Sequence, residues 1–206
     1  MINIENKMIF ALLGASGTGK TTLGGYLDEA GIEEIISYTT REPREGESEG
    51  DPYYFVDEDE FEELDKIEEV EYSGNRYAFA EEEFDKKLVE NDFVYLIADR
   101  NGVEQIQELY GEDNVTVIYL VSTVEELRGR MKERGDDLDK IDERIEHAIK
   151  TDEIVGNYDI ADYIIRSKDG MIREMVYQIG NIVKSEILKI LDKQMDEETK
   201  SIIETP

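Results

Sequence analysis

Two short stretches carry most of the chemistry. Residues 14–21 read Gly14-Ala15-Ser16-Gly17-Thr18-Gly19-Lys20-Thr21, a complete G-x-x-x-x-G-K-S/T loop, and Thr22 follows. Glycines at these places let successive backbone N–H groups turn inward around an anion. The helix that should follow adds the partial positive charge of its N-terminus. Lys20 is expected to reach the outer two phosphates of a nucleoside triphosphate, and the Thr21 hydroxyl to ligate a bridging Mg2+. GTPases, ATPases and small kinases share such a loop, so it fixes a ligand class and not a reaction.

The second stretch, residues 37–47, reads SYTTREPREGE. One phosphate group does not need both clusters. Arg41 and Arg44 offer planar guanidinium forks that match phosphate oxygens in a way lysine does not. Two separate anion sites suit an enzyme that moves a phosphoryl group between two anionic substrates. The attacking oxygen of a phosphate acceptor is already ionised at neutral pH, so no general base is required. Alignment and charge neutralisation are the main tasks. Arg130, Arg134 and Arg144 lie in a charge-dense segment and are candidates for a cationic shell around the transferring group.

Composition narrows the alternatives. The chain has 206 residues, no cysteine, and 52 Asp plus Glu against 23 Lys plus Arg, for a formal charge of −29. Disulfides and thiolate metal sites are excluded. Such a negative surface repels nucleic acid and anionic membranes. The apolar run MIFALL near the start is too short to span a bilayer. A soluble cytoplasmic protein is expected, with small nucleotides as partners and no nucleic acid or membrane. Monomer and homodimer both stay open.

Positioning these residues calls for an α/β fold. MIFALL (8–13), EIIS (34–37), FVYLIA (93–98), VTVIYLV (115–121) and IADYII (160–165) are short apolar runs suited to strands buried on both faces of a parallel sheet. Helix-length segments at 20–30, 101–110, 123–134 and 138–150 lie between or after them. Residues 37–90, with their prolines, glycines and short strand-like pieces, are expected to form a lobe set into the core. Helical stretches are predicted there at 57–64 and 80–90. Residues 128–150 are expected to form a helical lid. Core segments are then 1–36, 91–127 and 151–193, within one domain. Apolar residues from Ile172 to Leu191 recur at helical spacing, as for a core-packing helix with a possible partner face. Residues 194–206 read as a polar, frayed tail.

With these features in hand, the chain is similar to guanylate kinases. Ser37 to Glu47, then Gly50 and Tyr53-Tyr54-Phe55, resembles the family's monophosphate segment. Ser73-Gly74-Asn75-Arg76-Tyr77 resembles its G-N-x-Y, Asp99-Arg100-Asn101-Gly102-Val103 its D-x-x-G-V, and Arg130, Arg134-Gly135 and Arg144 its lid. The resemblance implies a P-loop three-layer fold with a parallel core sheet, an inserted monophosphate lobe and a helical lid. It implies ATP and Mg2+, with GMP or dGMP as acceptor. It puts Ser37, Arg41, Arg44, Glu47, Tyr53, Glu68, Tyr77 and Asp99 at the GMP site, with Glu68 accepting from the guanine N1 and N2 donors. Asp99 is also a candidate for the metal, through water.

The chain departs from the family pattern in four places. Ala78 and Phe79 stand where glycine and a hydroxyl residue are usual. Ile97 replaces an acid two residues before Asp99, and Arg166-Ser167 fills a corner that usually holds Asn. The segment between Phe61 and Glu68 is short, so Glu68 and Glu69 could exchange roles. The rival readings are a kinase for another nucleoside monophosphate or a sugar phosphate, and a non-catalytic module that binds phosphorylated ligands. His147 reads as a surface residue, and Tyr38 and Tyr54 as packing residues.

Overall fold

The computed structural model describes residues 4–44, 46–72 and 74–204, with side chains through residue 196. Glu45 and Ser73, both quoted above, lie outside the described residues. Strand β1 (Met8–Leu13) leads through the glycine loop to α1 (Lys20–Glu29) and the short β2 (Glu33–Glu34). A lobe follows: β3 (Tyr38–Thr39), β4 (Ser48–Glu49), β5 (Pro52–Phe55), α2 (Glu58–Glu63), β6 (Lys66–Tyr72) and β7 (Asn75–Ala80). The chain returns through α3 (Glu81–Glu90) to β8 (Phe93–Ile97), α4 (Arg100–Tyr110) and β9 (Val115–Val121). It ends with α5 (Val124–Glu133), α6 (Leu138–Lys150), β10 (Tyr163–Arg166) and α7 (Ile172–Glu204).

The core sheet has the order β10-β9-β1-β8-β2, and every pairing is parallel. All six residues of β1 are buried, because helices cover both faces. Its residues alternate. Ile9, Ala11 and Leu13 pack with Phe84, Leu88, Val103 and Ile106 of α3 and α4. Met8, Phe10 and Leu12 pack with Leu23 and Leu27 of α1 and with Met175, Ile179 and Val183 of α7. Each large side chain removed from water in this way contributes on the order of 1.5–3 kcal/mol.

Two strand expectations need correction. Of EIIS only Glu34 pairs in the sheet, together with Glu33 just before it; Ile35 keeps one bond to the Tyr95 carbonyl (2.7 Å), then the chain leaves the sheet to begin the lobe. In IADYII, pairing starts at Tyr163. The Asp162 carboxylate accepts the Val117 N–H at 2.8 Å, where a preceding strand residue would have placed a carbonyl.

The lobe sheet has the order β4-β5-β3-β7-β6. The antiparallel β6–β7 pair carries an irregularity between Lys66 and Glu68, after which Glu68 opposes Phe79. The sequence puts the helix at 80–90 in the lobe, but α3 belongs to the core layer. Its Phe84 and Leu88 are fully buried, and Phe84 stacks on Tyr110 of α4 at 5.2 Å.

Helices α5 and α6 occupy the segment expected to form the lid. Thr123 and Glu126 make a reciprocal capping box that starts α5. Gly135, at φ +86°, ends it in the left-handed conformation that glycine adopts without strain. Leu127, Met131, Ile141, Ile145 and Ala148 make a small core of their own, and Ala15 of the glycine loop is part of it. Helix α7 runs on to Glu204, so residues 194–204 continue the helix rather than forming a frayed tail. Among the described residues no helix is long and apolar enough to cross a membrane.

Candidate active site

The glycine loop sits at the C-terminal end of β1, between β8 and β9. Gly14, Gly17 and Gly19 have φ of 144°, 87° and 95°. A Cβ on Gly14 would lie 2.5 Å from the Leu120 carbonyl oxygen, so the close approach of loop and β9 admits no side chain there. Thr18 is buried and donates its hydroxyl to the Ala15 carbonyl at 2.9 Å, closing the loop on itself. Lys20 begins α1 and folds back over the loop, donating to the carbonyls of Gly14 and Ala15. Burial pushes its ammonium down to about 8, against the pull of Glu153. A phosphate in the loop would supply the charge that this site lacks. Thr21 and Thr22 are exposed in the first turn of α1, and Ser16 is half-buried in the loop.

The second cluster singled out in the sequence is held together by side chains. Arg41 is 9% exposed and is clamped by Glu47 Oε2 at 2.8 Å and by the Glu42 carbonyl at 2.9 Å. Its guanidinium lies over the rings of Tyr53 and Phe55, at 5.3 and 5.5 Å. Glu47 also accepts the Arg44 backbone N–H at 2.8 Å. Burial opposes ionisation of Glu47, but the Arg44 amide and the Arg41 guanidinium outweigh it and hold the carboxyl below its usual range. Tyr77 meets Tyr53 edge-on at 5.5 Å. Burial, followed by the neighbouring Tyr77, keeps the Tyr53 phenol protonated and able to donate. Arg41, Tyr53 and Tyr77 are therefore brought together. Tyr38 and Tyr54 meet in a tilted pair at 4.8 Å and donate their hydroxyls to Glu82 and Glu83.

The adjacent glutamates are distinguished by strand alternation. Glu69 faces outward to Lys66 and Arg76. Glu68 faces inward, 5% exposed, and its Oε1 has no hydrogen-bond partner among the described residues. Burial, and then the charge of Asp99, pushes Glu68 up to about 7, while the Asn101 side chain bonds to it. Asp99 caps α4, its Oδ1 accepting the Gly102 N–H at 2.9 Å. A Cβ on Gly102 would come within 3.6 Å of both the Glu68 carboxyl carbon and Asp99 Oδ1, so glycine leaves room for the two acids. Ser37 lies at the start of the lobe, its carbonyl accepting the Tyr54 N–H at 3.1 Å. Phe79 is 4% exposed and packs edge-on against Phe84 at 5.8 Å; it is a core residue and cannot stand in for a hydroxyl near a base.

The three lid arginines divide into two groups rather than forming one shell. Arg130 bonds to the Gly17 carbonyl (3.0 Å), Ser167 Oγ (2.6 Å) and Asp169 (2.7 Å), at the edge of the glycine loop. Arg134 and Arg144 both bond to Asp136. Sequence reasoning misses Asn101, Asp136 and the bond from Arg130 to Ser167. Only Asp136 leaves a signal, as an acid set among the lid's cations directly after Gly135.

Comparison with known proteins gives the family. The family model described as guanylate kinase matches residues 6–186. A guanylate kinase of Anaplasma phagocytophilum is 32% identical over 190 residues, covering 88% of each chain. One from Lactobacillus johnsonii is 34% identical over 191 residues, covering 89% of this chain and 91% of its own. The crystal structure of guanylate kinase from Anaplasma phagocytophilum superposes with a TM-score of 0.63 at 30% identity, covering 87% of this chain and 86% of that one. By the match along its length and by the loop, lobe and lid it folds into, this chain belongs to the guanylate kinase family.

Proposed function

We propose that the protein transfers the γ-phosphoryl group of ATP to GMP or dGMP, giving ADP and GDP or dGDP. The observation that carries the choice of base is Glu68, a buried acid whose Oε1 lacks a partner, beside Asp99 and Asn101. A carboxylate there suits the paired N1–H and N2–H donors of guanine and offers nothing favourable to the ring nitrogen of adenine. Ser37 would address the same base. Arg41, Arg44, Tyr53 and Tyr77 would hold the acceptor phosphate, with Glu47 keeping Arg41 in place.

The glycine loop from Gly14 to Thr22 would hold ATP. Lys20 would exchange its loop carbonyls for the β- and γ-phosphates. Among the described residues no three acids or histidines gather to hold a metal. Mg2+ would be held by the Thr21 hydroxyl and by the nucleotide's own oxygens, with Asp99 reaching it through water. Bound in this way, Mg2+ neutralises phosphate charge. Arg130 would sit at the donor end of the site, and Arg134 and Arg144 would close on the transferring group. At an effective dielectric of about 20, each cation roughly 4 Å from an anion is worth on the order of 4 kcal/mol. On this reading the partners are small nucleotides, not nucleic acid or membrane, and the enzyme works in the cytoplasm where both substrates occur.

A coupled ADP-release assay with ATP, Mg2+ and a panel of GMP, dGMP, AMP, UMP, CMP and dTMP tests the proposal. GMP and dGMP should be turned over. Turnover of another acceptor with none for these two would refute the choice of base.

A further inference from the structure

The turn between the lid helices holds a carboxylate where a cationic shell was expected. Asp136 Oδ1 accepts Arg134 Nε–H at 2.9 Å, and Oδ2 accepts from an Arg134 Nη and from Arg144 Nη1, the latter at 2.8 Å. The Arg44 charge, from the lobe, also acts on it. One acid therefore lies among three arginines that come from α5, α6 and the lobe.

The backbone gives Asp136 little freedom. Its N–H bonds to the Met131 carbonyl at 3.0 Å and that of Gly135 to Lys132 at 3.0 Å, which together lock the end of α5. The next residue, Asp137, caps α6 by accepting the Asp139 N–H at 2.9 Å. Only Gly135 and Asp136 separate Arg134, the C-cap of α5, from Asp137, the N-cap of α6. Its side chain is 18% exposed and that of Arg144 is 14% exposed. The Tyr72 ring of the lobe meets His147 of α6 edge-on at 5.0 Å, so this part of the lid lies against the lobe.

The donor count decides what the acid does. A guanidinium has five N–H groups. Among the described residues Arg144 spends one Nη donor on Asp136 and keeps its Nε and other Nη, a complete fork for a phosphate. Arg134 keeps its second Nη. Without the carboxylate, the charges of Arg44, Arg134 and Arg144 would repel one another and splay apart. Resting on the roles proposed above for the lid arginines, we propose that Asp136 is a positioning residue for phosphoryl transfer, holding Arg134 and Arg144 together opposite Arg44 before nucleotide arrives. The alternative, that it competes with substrate phosphate for the same donors, makes the opposite kinetic prediction.

The test compares Asp136→Asn, Asp136→Glu and Arg144→Ala with the unaltered protein, using ATP and GMP. For Asp136→Asn, kcat should fall about tenfold or more while both KM values stay within about threefold, because alignment is lost rather than binding. Asp136→Glu should recover to within about threefold of the unaltered kcat, since the carboxylate is restored. In 15N-resolved NMR of the ligand-free protein, the Arg134 Nε–H should be protected from exchange in the unaltered protein and lose that protection in Asp136→Asn. Lower KM values with unchanged or higher kcat in Asp136→Asn would overturn positioning in favour of competition. No recovery in Asp136→Glu, or an unchanged Arg134 Nε–H signal in Asp136→Asn, would also overturn it. If Arg144→Ala keeps full kcat, the catalytic role of Arg144 fails and the inference falls with it. A slow Arg144→Ala beside a normal Asp136→Asn removes the inference alone.

Discussion

The two proposed anion sites are made in different ways. The donor loop is backbone on a rigid base: left-handed glycines at the end of a fully buried strand, with Thr18 closing the turn and one lysine folded over it. The acceptor pocket is made of side chains held by other side chains on a small lobe. Arg41 is placed by Glu47 and two aromatic rings, and Glu47 is placed by the Arg44 amide. Backbone donors are fixed by conformation and serve any triphosphate. Side-chain donors can be re-aimed one residue at a time.

Changes on either side should break this division in different kinetic constants. The largest effect is expected for Lys20→Ala, with turnover down about 1,000-fold and calorimetric GMP affinity nearly unchanged. Equal loss of GMP binding would mean that the sites are not separate. Arg41→Ala should raise the KM for GMP about 100-fold, since a charge-assisted fork is lost, and leave the KM for ATP nearly unchanged. Equal shifts in both would undo the assignment of Arg41 to the acceptor.

Glu68→Gln should raise the GMP KM about 30-fold at pH 8, because a donor then faces donors. This deficit depends on pH. Burial and Asp99 put Glu68 at about 7 in the free protein. Below that value GMP must expel a proton to bind, which costs the unaltered protein roughly tenfold per pH unit. The variant has no such proton, so the gap should narrow to about threefold at pH 6. A gap that stays constant from pH 8 to 6 would show that Glu68 does not titrate against the base.

The smallest effect lies at the seam between core and lobe. The Tyr95 hydroxyl is 2.8 Å from Asp28 Oδ2 and 2.9 Å from Glu34 Oε2, and its one hydrogen can serve only one of them. A protonated Glu34 supplies the second. Burial raises Glu34 to about 7, with Tyr95 and Lys87 opposing and Asp28 and Asp51 assisting. Because the folded value lies above the unfolded one, this contribution to stability is present below about pH 4.5 and is lost as pH rises through 7. Glu34→Gln should therefore melt about 2–4 °C higher than the unaltered protein at pH 8 and show no gain at pH 4.5. A gain of equal size at both values would point to a cause other than titration.

The same contrast explains what the sequence reveals. The β1–loop–α1 unit is legible because its backbone conformation demands glycines at fixed spacing. Strands β8 and β9 are legible because burial on both faces demands unbroken apolar runs. Arg41 and Arg44 stand out as cations in an acidic chain. The acids that hold these and the lid arginines are harder to read: Glu47 enters only through the family segment, and Asp136 follows Gly135 among the lid's cations without showing which of them it binds until the fold places it. Phe79 occupies a position that the family pattern gives to the base, yet its side chain packs in the core beside Phe84, a contact between β7 and α3 that no local pattern announces. Adjacent Glu68 and Glu69 are equivalent in composition, and only strand pairing decides which one turns inward. The division of Arg130 from Arg134 and Arg144 depends on Ser167 and Asp136, which come from separate segments.

Ala15 belongs at once to the floor of the donor loop and to the hydrophobic cluster beneath the lid, and the Leu127 and Met131 side chains come within 3.6 Å of where a Cβ on Gly17 would lie. A bulkier residue at position 15 would press in two directions, tilting the arginine-bearing helices as it deformed the phosphate cradle. Engineers who wish to tune nucleotide grip and cap geometry separately should leave that methyl group alone and work from the outer ends of the hairpin.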